Sequence, residues 1–233
     1  MTESPHANNE LFPKVNIGAR LREYGFTLLW GSREKISGNP KVGTLSIIKQ
    51  IHNDYQDPHR LARESPEKHK ELVAYQKAIY MELKRQKSQD IFVEWIRDIH
   101  LKNGDWEKTG KELKKLLENT EMRDTVFAHY GGAIAYLIEN PSAKVHHTEN
   151  EDIINEMEKY QGDTVPKWLI EDREGYAIKQ VQSFLSKNPG KKVALVFWSQ
   201  HDFRNNLTKA YPTNPPQAEI VSFPDIARRY LEK

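Results

Sequence analysis

Four residues with the chemistry of metal ligands or proton-transfer groups stand at the ends of short apolar runs. His52 directly follows TLSIIKQI (Thr44–Ile51), and Glu94 closes DIFVEW (Asp90–Trp95). Glu149 follows AKVHHT (Ala143–Thr148), and His201 follows KVALVFW (Lys192–Trp198) by three positions. Each run is short, and the three before His52, Glu94 and His201 are apolar, the signature of a buried strand. In an open parallel sheet the carboxyl ends of the strands share one edge, and ligands bind there. Imidazoles and carboxylates brought to one edge suit Zn²⁺, Mn²⁺, Co²⁺ or Fe²⁺. Such an ion lowers the pKa of a bound water towards 7. Loops are polar in any protein, and the chain has nine histidines, so the convergence carries more weight than any single residue. His146 and His147 are adjacent, so on a strand at most one of them faces the site. Surface exposure is the expectation for His146.

The elements that must position these residues are legible in the spacing. Strands are expected over Phe26–Trp30, Thr44–Ile51, Asp90–Trp95, Ala143–Thr148, Lys192–Trp198 and Glu219–Phe223. Helices are expected over Lys68–Lys87, Asp105–Asn119, Thr120–Glu139, Glu151–Tyr160, Pro166–Lys187 and Pro224–Leu231. Leu72, Tyr75, Ile79, Tyr80 and Leu83 recur at three- and four-residue steps, an amphipathic stripe. In the Thr120–Glu139 helix, His129-Tyr130-Gly131-Gly132 reads either as a lid or anion-binding turn or, in preference, as a break where glycine permits close packing. Strands separated by helices require crossovers, so the fold class is α/β with a mainly parallel central sheet flanked by helices. Residues 1–15 read as a flexible leader and residues 16–233 as a single domain.

Composition narrows the chemistry. Cysteine is absent, which excludes disulfides, thiolate-bound metals and a cysteine nucleophile. Any metal must be held by His, Asp, Glu or main-chain oxygen. Lys plus Arg total 35 against 33 for Asp plus Glu, a formal charge of +2, and no nucleic-acid partner is expected from it. No run approaches the roughly 18 apolar residues of a membrane helix, and no signal segment is visible. A soluble cytoplasmic protein without a membrane partner is the expectation. There is no Walker-type loop, no G-x-G-x-x-G after a strand and no G-x-S-x-G elbow.

The element order resembles one superfamily across residues 44–205. It is the group that holds the ChaN haem-uptake lipoproteins, the TraB/PrgY proteins, the TIKI metalloproteases and the erythromycin-esterase-like enzymes. The resemblance rests on Ile47–His52 as the first strand and turn, Ile91-Phe92-Val93-Glu94 as the next strand, and Asp172-Arg173-Glu174 early in a late helix. It is completed by Pro189-Gly190, Val193–Phe197 and Trp198-Ser199-Gln200-His201. Members carry a Gly-x-x-His or Gly-Glu-x-His turn. Here Lys49 and Trp198 stand where the two turn glycines belong, and Gln50 stands at a commonly acidic position. That departure points either to an altered pocket or to a non-catalytic descendant.

The resemblance implies an erythromycin-esterase/ChaN-like fold and a divalent-metal-dependent hydrolase of ester or peptide bonds. His52 and His201 would be metal ligands or acid–base groups, and Glu149, with His147, is a weaker candidate ligand offered by its position after the third strand and not by the resemblance. Glu94 would serve as ligand or general base. Arg173 would hold a substrate carboxylate or stabilise an oxyanion, which its forked guanidinium suits. An ordinary surface pair of Arg173 with Glu171 or Asp172 is the alternative. The substrate would be a small molecule or a peptide. A second reading keeps the fold without turnover and binds haem or another ligand, with His, Tyr130 or Tyr176 as an axial group. A third is a protein-interaction descendant with a degenerate site and a protein partner.

Overall fold

The structure is a computed structural model that describes residues 34–50, 60–160, 165–198 and 201–230. The expected leader, the expected strand Phe26–Trp30 and His52 lie outside the described residues. Six strands form one sheet: β1 (Glu34–Ile36), β2 (Thr44–Gln50), β3 (Asp90–Val93), β4 (Lys144–His146), β5 (Lys192–Trp198) and β6 (Gln217–Val221). Their spatial order is β1-β6-β2-β5-β3-β4. All neighbours run parallel except β1 and β6, which are antiparallel. The protein is thus α/β with a mostly parallel sheet, as the alternation of strands and helices requires.

The helices are α1 (Arg60–Glu64), α2 (Pro66–Gln86), α3 (Asp98–Lys102), α4 (Asp105–Glu118) and α5 (Thr120–Glu139). They continue with α6 (Glu151–Met157), α7 (Lys167–Lys187), α8 (Arg204–Ala210) and α9 (Phe223–Tyr230). Side-chain alternation along the strands sorts the core into two halves. Ile48, Ile91, Val93, Ala194 and Val196 pack with α2, α4, α5 and α9 on one face. Leu45, Ile47, Phe92, Leu195 and Phe197 pack with α7 and α8 on the other. β5 is buried on both faces and lies between β2 and β3, which is why its sequence is an unbroken apolar run. No helix among the described residues is long and apolar enough to cross a membrane.

The glycine break expected in α5 is present. Gly131 has φ +86° and ψ 164° inside the helix. A Cβ on Gly132 would stand 1.9 Å from the Gln76 carbonyl oxygen, so glycine there lets α5 approach α2. The Gly132 amide, released from the helix ladder, donates to Gln76 Oε1 at 2.8 Å.

Several features depart from the sequence expectation, the short helix α3 among them. β1 lies in a stretch that reads as turns, because Glu34–Ile36 is only three residues long and exists through pairing with β6. Helix α8 was not anticipated; it is held by Leu207 against the second face. His146 is partly buried and not simply exposed. Its Nε2 lies 3.0 Å from Asp90 Oδ1, and its ring stacks on Phe92 with centroids 4.6 Å apart.

Candidate functional site

The topology creates a crevice between β5 and β3. β3 leads to α4 and α5 on the first face, whereas β5 leads to α8 on the second. Neighbouring strands whose continuations part to opposite faces leave an opening at their carboxyl ends. Glu94 is the first residue past β3, and its amide donates to the Val196 carbonyl at 3.1 Å, carrying the β3–β5 pairing one step further. His201 lies three residues past the end of β5.

These two residues meet there. His201 Nε2 stands 3.8 Å from Glu94 Oε1. Its Nδ1 lies 3.0 Å from Glu174 Oε1, which also accepts the Asp202 amide at 3.0 Å. A carboxylate only accepts, so this contact places the imidazole proton on Nδ1 and turns Nε2 towards Glu94. Phe197 meets the His201 ring edge-on with centroids 4.7 Å apart and restricts its rotation.

Arg173 completes the cluster. It is only 3% exposed, which rules out the ordinary surface pair. Its Nε donates to Glu149 Oε2 at 2.8 Å and its Nη2 to Glu149 Oε1 at 2.5 Å, a bidentate clamp. The same Nη2 lies 3.0 Å from Glu94 Oε1. The guanidinium also lies 4.6 Å from the centroid of the Trp95 ring and 5.1 Å from that of Phe197. Burial opposes the charge on Arg173, but the Glu149 hydrogen bonds and the charges of Glu94 and Glu149 outweigh it and hold the pKa above the ordinary arginine value.

Local structure fixes Glu149 from both sides. The Thr148 amide donates to the Ile96 carbonyl at 3.0 Å, and Thr148 Oγ1 donates to the Val93 carbonyl at 2.8 Å. Asn150 then caps α6, its side chain accepting from the amides of Asp152 and Ile153. Glu149 Oε1 also accepts the Trp95 amide at 3.0 Å. Trp95 has φ +70°, a left-handed conformation that costs a bulky residue about 1–2 kcal/mol.

Of the expected site residues, Glu94, Glu149, Arg173 and His201 come together. His52 lies outside the described residues. Glu174, which orients His201, was missed by the sequence reading. It carried a readable signal: Arg173 and Glu174 both fall on the buried stripe of α7, four residues before Ala177 and Ile178. Lys49, in place of a turn glycine, is partly buried, and burial lowers its pKa below the ordinary lysine value against the opposing charge of Asp202.

A cleft of about 470 Å³ adjoins the cluster. Glu94, Trp95 and Gln50 form part of its wall at the sheet edge, and Trp106, His129 and Tyr130 contribute from α4 and α5. Among the described residues, no group of three or more His, Asp or Glu side chains is arranged as a metal site. The described donors that suit a divalent cation are His201 Nε2 and Glu94. The Glu174 contact to Nδ1 is the outer-shell partner that a metal-bound histidine ordinarily has. The cluster gathers three buried carboxylates, Glu94, Glu149 and Glu174, around the single buried guanidinium of Arg173. Lys49 interacts electrostatically with Glu174, so a second positive charge borders the cluster. By donor chemistry, His201 and Glu94 fit such a divalent ion.

Comparison of the chain with protein-family models, with curated proteins and with solved structures gives no match.

Proposed function

We propose that the protein is a divalent-metal-dependent hydrolase of ester or peptide bonds, with a fold of the erythromycin-esterase/ChaN-like type. The observation that carries the reading is the alignment of Glu174, His201 and Glu94 in the crevice beside the cleft. His201 is oriented by its Nδ1 contact to Glu174, with Glu94 Oε1 3.8 Å from its Nε2. A divalent cation (Zn, Mn, Co or Fe) would be held by His201 and His52 with Glu94 beside it, and would make a bound water more acidic. Glu94 accepts the proton of the attacking water as the water oxygen bonds to the substrate carbonyl carbon. It returns that proton to the leaving oxygen or nitrogen as the ester or amide bond breaks. Both oxygens of Glu149 are committed to Arg173, so in this reading Glu149 is a clamp for Arg173 in preference to a metal ligand. Arg173 in turn holds Glu94 and partly balances the negative charge around it.

The test is metal binding by calorimetry on protein stripped with a chelator. One equivalent of Zn²⁺ or Mn²⁺ is expected to bind, and His201→Ala and His52→Ala are each expected to weaken binding at least about tenfold. Binding that survives both substitutions unchanged, or no binding of any of the four ions, overturns the metal assignment. A second reading, a ligand-binding descendant without turnover, is favoured by Lys49 and Trp198 in place of the turn glycines. It predicts ligand binding, haem included, with no hydrolysis of any ester or peptide offered.

A further inference from the structure

Two backbone irregularities bring aromatic side chains to the same cleft. Trp95 is held at φ +70° with its ring 51% exposed, in the segment that leaves Glu94. Tyr130, 42% exposed, immediately precedes the break of α5 at Gly131. Strain of this kind persists only where the surroundings enforce it, and it concentrates at ligand sites. Of the three exposed large aromatics among the described residues, Trp95, Tyr130 and Trp168, the first two meet at this cleft. Trp106 adds a third ring to the wall, and Leu113 and Ile134 line it with aliphatic carbon.

The charge of the wall is one-sided. Glu94, paired with Arg173 behind the wall, and Asp105 belong to it with the imidazoles of His100 and His129, and among the described residues it contains no Lys or Arg. An anion entering the cleft would be desolvated against apolar carbon and carboxylates, with no Lys or Arg among the described lining residues to compensate it. A neutral apolar group would meet aromatic and aliphatic surface. A cationic one would find ring faces and carboxylates.

We infer that this cleft is the specificity pocket of the site, and that it takes an apolar, ring-sized group carrying no negative charge. The inference rests on reading the β3–β5 edge as an active site. It adds the class of substrate: hydrophobic esters or peptides, neutral or cationic next to the scissile bond. Carboxylate- or phosphate-bearing substrates are excluded.

The experiment measures binding and needs no turnover. The full chain is titrated calorimetrically with three matched probes: 2-naphthylmethanol, 2-naphthylmethylamine and 2-naphthoate. The alcohol and the amine are expected to bind at least about tenfold more tightly than the carboxylate. Thr109→Trp, at an exposed wall position on α4, is expected to fill the mouth and weaken both at least about tenfold, with the circular dichroism spectrum unchanged. Carboxylate binding equal to or tighter than the alcohol overturns the inference. So does alcohol binding unaffected by both Thr109→Trp and Trp106→Ala in folded protein. Selective probe binding by a protein that hydrolyses nothing upholds the pocket and refutes the hydrolase. Hydrolysis that favours anionic esters upholds the hydrolase and refutes the pocket.

Discussion

Two buried glutamates, Glu82 on α2 and Glu94 at the end of β3, both pair with arginine, and they differ in how their charge is balanced. Glu82 accepts hydrogen bonds from Arg85, Gln86, Arg229 and Tyr230, so one carboxylate is served by two guanidiniums. Those arginines are 46% and 26% exposed, and they reach inward from the surface to tie α9 to α2. Burial raises the Glu82 pKa, but the hydrogen bonds from these four side chains outweigh it and hold it at about 2. At Glu94 the ratio is reversed. One buried guanidinium serves Glu94 and Glu149, and a histidine held by a third carboxylate, Glu174, stands alongside. A saturated carboxylate is a structural tie. A carboxylate that shares one guanidinium with a second carboxylate, beside an imidazole and a cleft, is equipped to hold a cation or move a proton.

The comparison can be broken most sharply through activity. Glu94→Gln and His201→Gln should each lower kcat/KM about 10²–10⁴-fold on a hydrophobic ester, as removal of a proton-transfer or ligand group does. Steady-state kinetics beside thermal melts would separate this from loss of folding. Glu82→Gln should do the opposite: cost on the order of 3 kcal/mol in urea unfolding and leave kcat/KM within about twofold. If Glu82→Gln abolishes turnover while stability holds, the distinction between the two sites fails.

Acid titration sharpens the same contrast. The Glu82 pKa falls from 4.5 to about 2 on folding, so its contribution is complete above pH 4.5 and is lost as pH drops towards about 2. Unfolding free energy measured between these limits should decline by on the order of 3 kcal/mol more in wild type than in Glu82→Gln. The smallest effect belongs to Trp95→Gly. It relieves a left-handed tryptophan worth about 1–2 kcal/mol and removes a cation–π contact worth about 1 kcal/mol. Stability should change by less than about 1 kcal/mol, while KM for a hydrophobic ester rises.

Strand ends were the most legible part of the chain. Apolar runs bounded by polar residues give β2, β3 and β5 to within two residues, and with them the meeting of Glu94 and His201. The partnerships behind them were not legible. Glu149 reaches Arg173 across 24 positions, and Glu174 reaches His201 across 27, through packing of α7 on the sheet. No local spacing encodes such pairs. A partial signal existed in α7, where an arginine and a glutamate interrupt an apolar stripe. Charges on a buried stripe require partners. β1 was hidden for a different reason: Glu34 and Lys35 favour no strand by themselves, and only the edge of β6 makes them one.

The central claim is that the β3–β5 edge performs metal-assisted hydrolysis. Its most direct test is turnover of a panel of neutral hydrophobic esters and peptides by protein loaded in turn with Zn²⁺, Mn²⁺, Co²⁺ and Fe²⁺, beside His201→Gln treated identically. The account predicts hydrolysis by the wild type with at least one ion and a loss of at least about a hundredfold in the variant at equal thermal stability. No turnover with any ion, or equal turnover in the variant, would contradict it.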